Sequence, residues 1–272
     1  MKGLTQFARA TAVNRISTVN RERLHLIEGA SEDAVHDFRV SLRRLEPVFT
    51  LFSIEPLGLD DLQAVIDLCE TWMRAAGKVR DCDVVRKLLP DEFKKDVDRL
   101  RHTRALQLMD LVNAGSLPTP KRRPGAWANE PEVVMFAAMT LPHLANSYFQ
   151  AGARAVAKKR SLHRLHEFRL HGKELRYSLE LFQSLYGGRL GALQRLLKQM
   201  QKVLGEMADA RAAIKLCRKL GVPDQSTVFD SLGELADDKI AEFARMWRAE
   251  VPDAEAAARW IKYLRRFARP HE

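Results

Sequence analysis

Apolar residues recur along this chain at steps of three and four, and almost nowhere at the steps of two that a strand needs. The pattern predicts an all-α protein. A first helix is expected over about residues 5–28, stopping at Gly29. A second should start from Ser31, whose hydroxyl suits the N-cap, with the carboxylates of Glu32 and Asp33 at its positive end. Pro47 lies inside that second pattern, where it should kink or break the helix. Further helices are expected over about 59–76, 82–89 and 91–113, then over 132–158, 161–186, 189–204, 209–219, 226–249 and 253–268. Gly77 and Gly205 are read as left-handed residues closing the helices before them. Asp81 and Asp209 would then cap the short helices that follow, or else orient nearby arginines.

Residues 114–131, AGSLPTPKRRPGAWANEP, are rich in proline and glycine and read as a linker. The chain on either side of it repeats. Val35-His36-Asp37-Phe38-Arg39-Val40 matches Leu165-His166-Glu167-Phe168-Arg169-Leu170, and further on Ala76-Gly77 and Asp81 match Leu204-Gly205 and Asp209 in the same order. The organisation expected is one domain over 1–272, with a first helical half at 1–113, the linker at 114–131 and a second half at 132–272. Each half would be a homologous bundle of about four main helices, the two related by pseudo-twofold symmetry.

Composition narrows the class. With 46% hydrophobic and 29% charged residues and only 14 Gly and 11 Pro in 272, the chain is neither disordered nor collagen-like. Lysine and arginine outnumber acids 45 to 35, a net charge of +10, which favours a polyanionic partner over a basic one. Cys69, Cys82 and Cys217 stand far apart with no Cys-x-x-Cys pair, so reduced thiols are expected. No apolar stretch reaches the length of a signal core or a membrane span. A cytoplasmic protein without a membrane partner is therefore expected.

The repeated segments carry the candidate chemistry. On a helix, His36, Arg39 and Arg43 fall at about 0°, 300° and 340°, while Val35, Phe38, Leu42 and Leu45 occupy roughly 180–260°. His166, Arg169, Lys173 and Arg176 form the same stripe in the second half, opposite Leu165, Phe168, Leu175 and Leu179. One reading is an ordinary solvated polar face. Against it, the His-x-x-Arg-x-x-x-basic spacing occurs twice, and the expectation is that no acid stands at the three- and four-residue steps that would neutralise the stripe. Arg195, Lys198 and Lys202 make a third stripe, of which Lys198 and Lys202 join the candidate set.

Val35-His36-Asp37-Phe38-Arg39-Val40 with Arg43-Arg44-Leu45, and Leu165-His166-Glu167-Phe168-Arg169-Leu170 with Lys173-Glu174-Leu175-Arg176-Tyr177, resemble the two signatures of the conserved histidine α-helical domain, the CHAD family. Gly77-Lys78-Val79-Arg80-Asp81-Cys82-Asp83-Val84 resembles that family's Gly-x-x-Arg-Asp-x-Asp-Val segment, with Leu204-Gly205-Glu206-Met207-Ala208-Asp209 a weaker counterpart. The resemblance implies two four-helix bundles around a basic central channel that binds inorganic polyphosphate, in a family whose bacterial members are associated with polyphosphate granules. The contacts it implies are His36, Arg39, Arg43, Arg44 and Arg80 in the first half, and His166, Arg169, Lys173 and Arg176 in the second. Ala208 stands where the first half has Arg80, so the halves need not contribute equally.

Three other functions compete with this one. His163 and His166 are three apart on a helix, but a stripe of arginine and lysine disfavours a cation, so neither metal nor cofactor is expected. The chain lacks a Gly-x-x-x-x-Gly-Lys-Ser/Thr loop, a His-Glu-x-x-His helix and an alternating acidic strand, so a binding module is expected and an enzyme is not. Nucleic acid is the second reading. Its weakness is that the four Trp and four Tyr are scattered instead of interleaved with the basic stripes.

Overall fold

The computed structural model describes residues 3–52, 57–121, 132–157, 161–186, 188–223 and 226–266. Among these residues the regular elements are helices: α1 Leu4–Glu28, α2 Glu32–Leu51, α3 Leu62–Leu88, α4 Asp91–Asn113, α5 Val133–Ala155, α6 Leu162–Leu181, the short α7 Gln183–Tyr186, α8 Leu190–Lys219, α9 Thr227–Glu250 and α10 Ala254–Leu264. The all-α expectation holds. Residues 114–121 of the linker are non-helical as expected, and residues 122–131 lie outside the described residues.

Several helices begin on the side chains that their sequence provides. Ser31 accepts from the Ala34 amide at 3.1 Å, Asp61 from Ala64 at 2.9 Å and Asp253 from Ala256 at 2.8 Å. The end of α8 is equally local. Gly221 takes φ +76°, its amide donates to Arg218, and the Val222 amide donates to Cys217, the double bond of a Schellman turn.

Other helix boundaries correct the sequence expectations. The segments 59–76 and 82–89 are one helix, α3, and 189–204 and 209–219 are one helix, α8. Gly77 and Gly205 therefore lie inside helices, with neither in the left-handed region, and Asp81 and Asp209 are mid-helix residues that cap nothing. A glycine costs a helix only about 0.5–1 kcal/mol. The continuous buried face of α3, which includes Trp72, Ala76, Val79, Cys82 and Val85, outweighs that cost. In α8, Leu204, Met207, Ala210 and Ala213 extend the buried face across Gly205 in the same way. Nor does Pro47 break α2. The helix continues to Leu51 because Leu45, Pro47 and Val48 are all buried, offsetting the hydrogen bond that proline removes.

The chain forms two compact units. One comprises Thr5–Glu130 with Asp209–Gly233, the other Met1–Leu4, Pro131–Ala208 and Glu234–Glu272. In the first, α2 packs on α3 and α3 on α4. Val35, Phe38, Leu42 and Leu45 are buried as their spacing predicts, and Phe38 meets Trp72 with ring centroids 5.8 Å apart. In the second, α6 and α10 pack on α5, and Tyr148, Phe168, Phe243 and Trp247 form an aromatic core. Burying one face of α2 and one of α6 leaves the basic stripes along the flank of each, with His36 and His166 exposed and the cations that follow them half-buried. No helix among the described residues is long and apolar enough to cross a membrane.

Candidate anion-binding site

In the first unit the candidate cations sit on two packed helices. His36 on α2 is exposed, and Arg39 and Arg43 are half-buried along the flank of the face that buries Phe38 and Leu42. Arg43 makes no ion pair or hydrogen bond among the described residues. Arg44, also exposed, is turned about 80° from His36 and so lies off the stripe. Arg39 is anchored: its Nη1 donates to the Met73 carbonyl at 3.2 Å, and its guanidinium lies over Gly77, where a Cβ would stand 2.9 Å from Nη1. Gly77 is thus a floor for an arginine. Protein packed around the Asp81 carboxyl pushes its pKa up although the side chain keeps contact with solvent, and Arg39 and Arg104 only partly pull it back.

Arg80 joins from α3. Its Nη1 donates to Glu32 Oε1 at 2.7 Å and stands 3.9 Å from Asp83 Oδ2, and Lys87 donates to the same Glu32 oxygen. These two hydrogen bonds, Lys87 foremost, hold the Glu32 carboxyl below its ordinary pKa. Asp83 is almost wholly buried and accepts from Arg101 Nε at 2.5 Å, while Arg101 Nη2 donates to the Ala30 carbonyl at 2.8 Å. Arg104 Nη1 reaches the Lys78 carbonyl at 2.8 Å and Cys82 Sγ at 3.2 Å. Two arginines of α4 therefore fasten the Arg80–Asp83 segment of α3. Sequence reasoning missed Lys87, Arg101 and Arg104 because none stands at a repeated spacing.

In the second unit His166 on α6 is exposed, and Arg169, Lys173 and Arg176 are half-buried. The Arg176 guanidinium lies 4.1 Å from the centroid of the Tyr177 ring and 3.6 Å from Glu180. Off the stripe, His171 stands between Glu167 and Glu174 at 4.0 and 3.6 Å. Gln201 of α8 comes 3.5 Å from the Cβ position of Gly172, which makes α6 and α8 neighbours at this level. The exposed Lys198 and Lys202 stand on α8 on either side of Gln201 in sequence. Nothing in α8 matches Arg80, because Ala208 holds that position.

One expectation about the stripes is corrected. Acids do stand at the neutralising steps: Glu32 lies four residues before His36 and pairs with Arg80 and Lys87, and Glu180 lies four after Arg176 and pairs with it. Both sit just beyond the basic residues that define each stripe, Glu32 before His36 and Glu180 after Arg176.

Among the described residues no group of three or more His, Cys, Asp or Glu is placed to hold a metal ion. The three cysteines are free. Burial pushes the Cys69 thiol up to about 12 and raises Cys82 and Cys217 as well, so none is an activated thiolate. A cleft of about 450 Å³ between α2 and α3 is lined by Leu42, Phe49, Ile66 and Met73, with two carboxylates, Glu46 and Glu70, against one cation, Arg74, and suits a phosphate chain poorly.

The structure thus defines a class: an all-helical protein whose repeated His–Arg helices each carry a half-buried basic stripe beside a packed core. Residues 12–218 match the family model of the CHAD domain, and the chain belongs to that family. Its fold is similar to the crystal structure of the CHAD domain from the plant Ricinus communis, with a TM-score of 0.62 and 20% identity over 97% of this chain and 92% of that one. No curated protein sequence matches the chain.

Proposed function

We propose that the chain is a non-enzymatic module that binds inorganic polyphosphate through the basic faces of α2 with α3 and of α6 with α8. The carrying observation is that each unit sets a His-x-x-Arg-x-x-x-basic face beside a second helix bearing further cations, His36, Arg39 and Arg43 with Arg80, and His166, Arg169, Lys173 and Arg176 with Lys198 and Lys202. Polyphosphate offers a dense row of oxygens without bases, so arginine forks and lysine point charges suffice to hold it. Arg39 and Arg43 rise about 6 Å apart along α2, a step that one flexible anion spans. The Met73 carbonyl fixes Arg39, and the Tyr177 ring fixes Arg176, before ligand arrives, which lowers the ordering cost of binding. Arg43, Lys198 and Lys202, which form no ion pair among the described residues, add further attraction. Cytoplasmic placement, with reduced thiols, and association with polyphosphate granules complete the proposal.

Titration with long-chain polyphosphate, single-stranded DNA and RNA at equal phosphate concentration, over a salt series, tests it. Polyphosphate should hold the protein against either competitor, and affinity should fall steeply with salt as counterions are released at each contact. DNA or RNA displacing polyphosphate at equal phosphate would transfer the reading to nucleic acid. Orthophosphate released from bound chains would contradict the non-enzymatic part.

A further inference from the structure

In the first unit one carboxylate occupies the place where two cations converge. Glu32 lies on α2 at about 320° when His36 is set to 0°, in line with Arg39 and Arg43, so it belongs to the basic stripe and begins it. Its Oε1 alone accepts from Arg80 at 2.7 Å and from Lys87. Arg80 and Lys87 are two turns apart on α3 and share a face. Arg80 is kept within reach by Asp83, 3.9 Å away, which Arg101 holds in place. Glu32 itself is 39% exposed, so an incoming anion can approach the same two cations.

From this arrangement we infer that Glu32 is an internal competitor for the ligand, holding Arg80 and Lys87 in the free protein and yielding them only to an anion of high charge density. The inference rests on the polyphosphate reading. The selectivity follows from counting charges. Orthophosphate or a short chain meets Arg80 and Lys87 already matched by a carboxylate on the positive end of α2, and gains little by displacing it. A long chain held by His36, Arg39 and Arg43 brings its next phosphates to Arg80 and Lys87 at high effective concentration, and displaces Glu32 because the encounter is intramolecular. Glu32 then acts as a threshold against short phosphates, and Lys87 becomes a further contact residue.

The test compares the full chain with Glu32→Gln and with Asp98→Asn. The control removes the carboxylate of an exposed pair in the same unit, Arg86 with Asp98 at 2.6 Å, and so changes net charge equally. Binding of long polyphosphate, tripolyphosphate and orthophosphate is measured for each at several salt concentrations, with helix content checked by circular dichroism. Glu32→Gln is expected to tighten tripolyphosphate roughly fivefold, the upper range for an exposed ion pair, and long polyphosphate by less. Asp98→Asn should leave both unchanged. Adding Lys87→Gln to Glu32→Gln should abolish the gain. Equal gains in Glu32→Gln and Asp98→Asn, or none in Glu32→Gln while the parent protein binds polyphosphate, would overturn the inference and leave the proposed function standing. Failure of the parent protein to bind polyphosphate at all removes both.

Discussion

Gly77 and Gly205 hold matching places in the two sequence halves but have different neighbours. A Cβ at Gly77 would meet Arg39 Nη1 at 2.9 Å, whereas at Gly205 nothing lies within 4 Å. Alanine at Gly205 should stabilise its helix by about 0.5–1 kcal/mol, whereas at Gly77 the same gain is offset by pushing the Arg39 guanidinium off the Met73 carbonyl. Binding should separate the two. Gly77→Ala is expected to weaken polyphosphate severalfold by displacing Arg39, and Gly205→Ala to leave it unchanged, as thermal unfolding and titration of both variants will show. Glu32 makes a pH prediction at the same scale. Its folded pKa is depressed, so the stability it contributes is present above the ordinary glutamate pKa and is lost as pH falls through the folded value. Unfolding midpoints measured from neutral to about pH 3 should show a shallower acid loss in Glu32→Gln than in the parent.

At the scale of the helix, what was legible depended on whether the deciding interaction is local. The start of α2 was legible because Ser31 caps an amide three residues on, and its buried side because Val35, Phe38, Leu42 and Leu45 follow one period. The continuity of α3 and α8 was not, since glycine followed by aspartate reads as a stop and cap unless the buried face beyond it is known. The histidine–arginine stripes were legible for the same periodic reason as the core. Their internal acids were missed where the partners are far apart in sequence, Glu32 with Arg80 and Lys87, because no spacing rule connects different helices. Gly152 on α5 shows the same limit. Its sequence offers no sign that a Cβ would fall 2.0 Å from the Trp247 ring, amid aromatic side chains that cannot move aside. Gly152→Ala should therefore destabilise the protein by about 1–3 kcal/mol, and should blunt the near-ultraviolet circular dichroism of the aromatic core.

For the whole molecule, a net charge of +10 raises the possibility that any polyanion is held by a diffuse field, with the stripes incidental to it. The basic face of α10 separates these cases. Arg259 and Lys262 are exposed there and Arg265 just past its end, yet all three lie beyond the 12–218 match and outside the repeated segments. Neutralising all three to glutamine removes more charge than the pair Arg43→Gln with Lys198→Gln, one exposed or half-buried cation from each unit. Glutamine is a good helix former, so neither set should alter helix content. If defined contacts hold the ligand, the double variant should lose roughly tenfold or more in affinity, the scale of charge-assisted contacts removed, and its log–log salt slope should flatten by about two contacts. The α10 triple variant should then change affinity little and keep the parent slope, because only cations that touch the chain release its counterions. A triple variant that loses as much as the double one would show that net charge holds the anion, and the histidine–arginine faces would revert to ordinary solvated sides of α2 and α6.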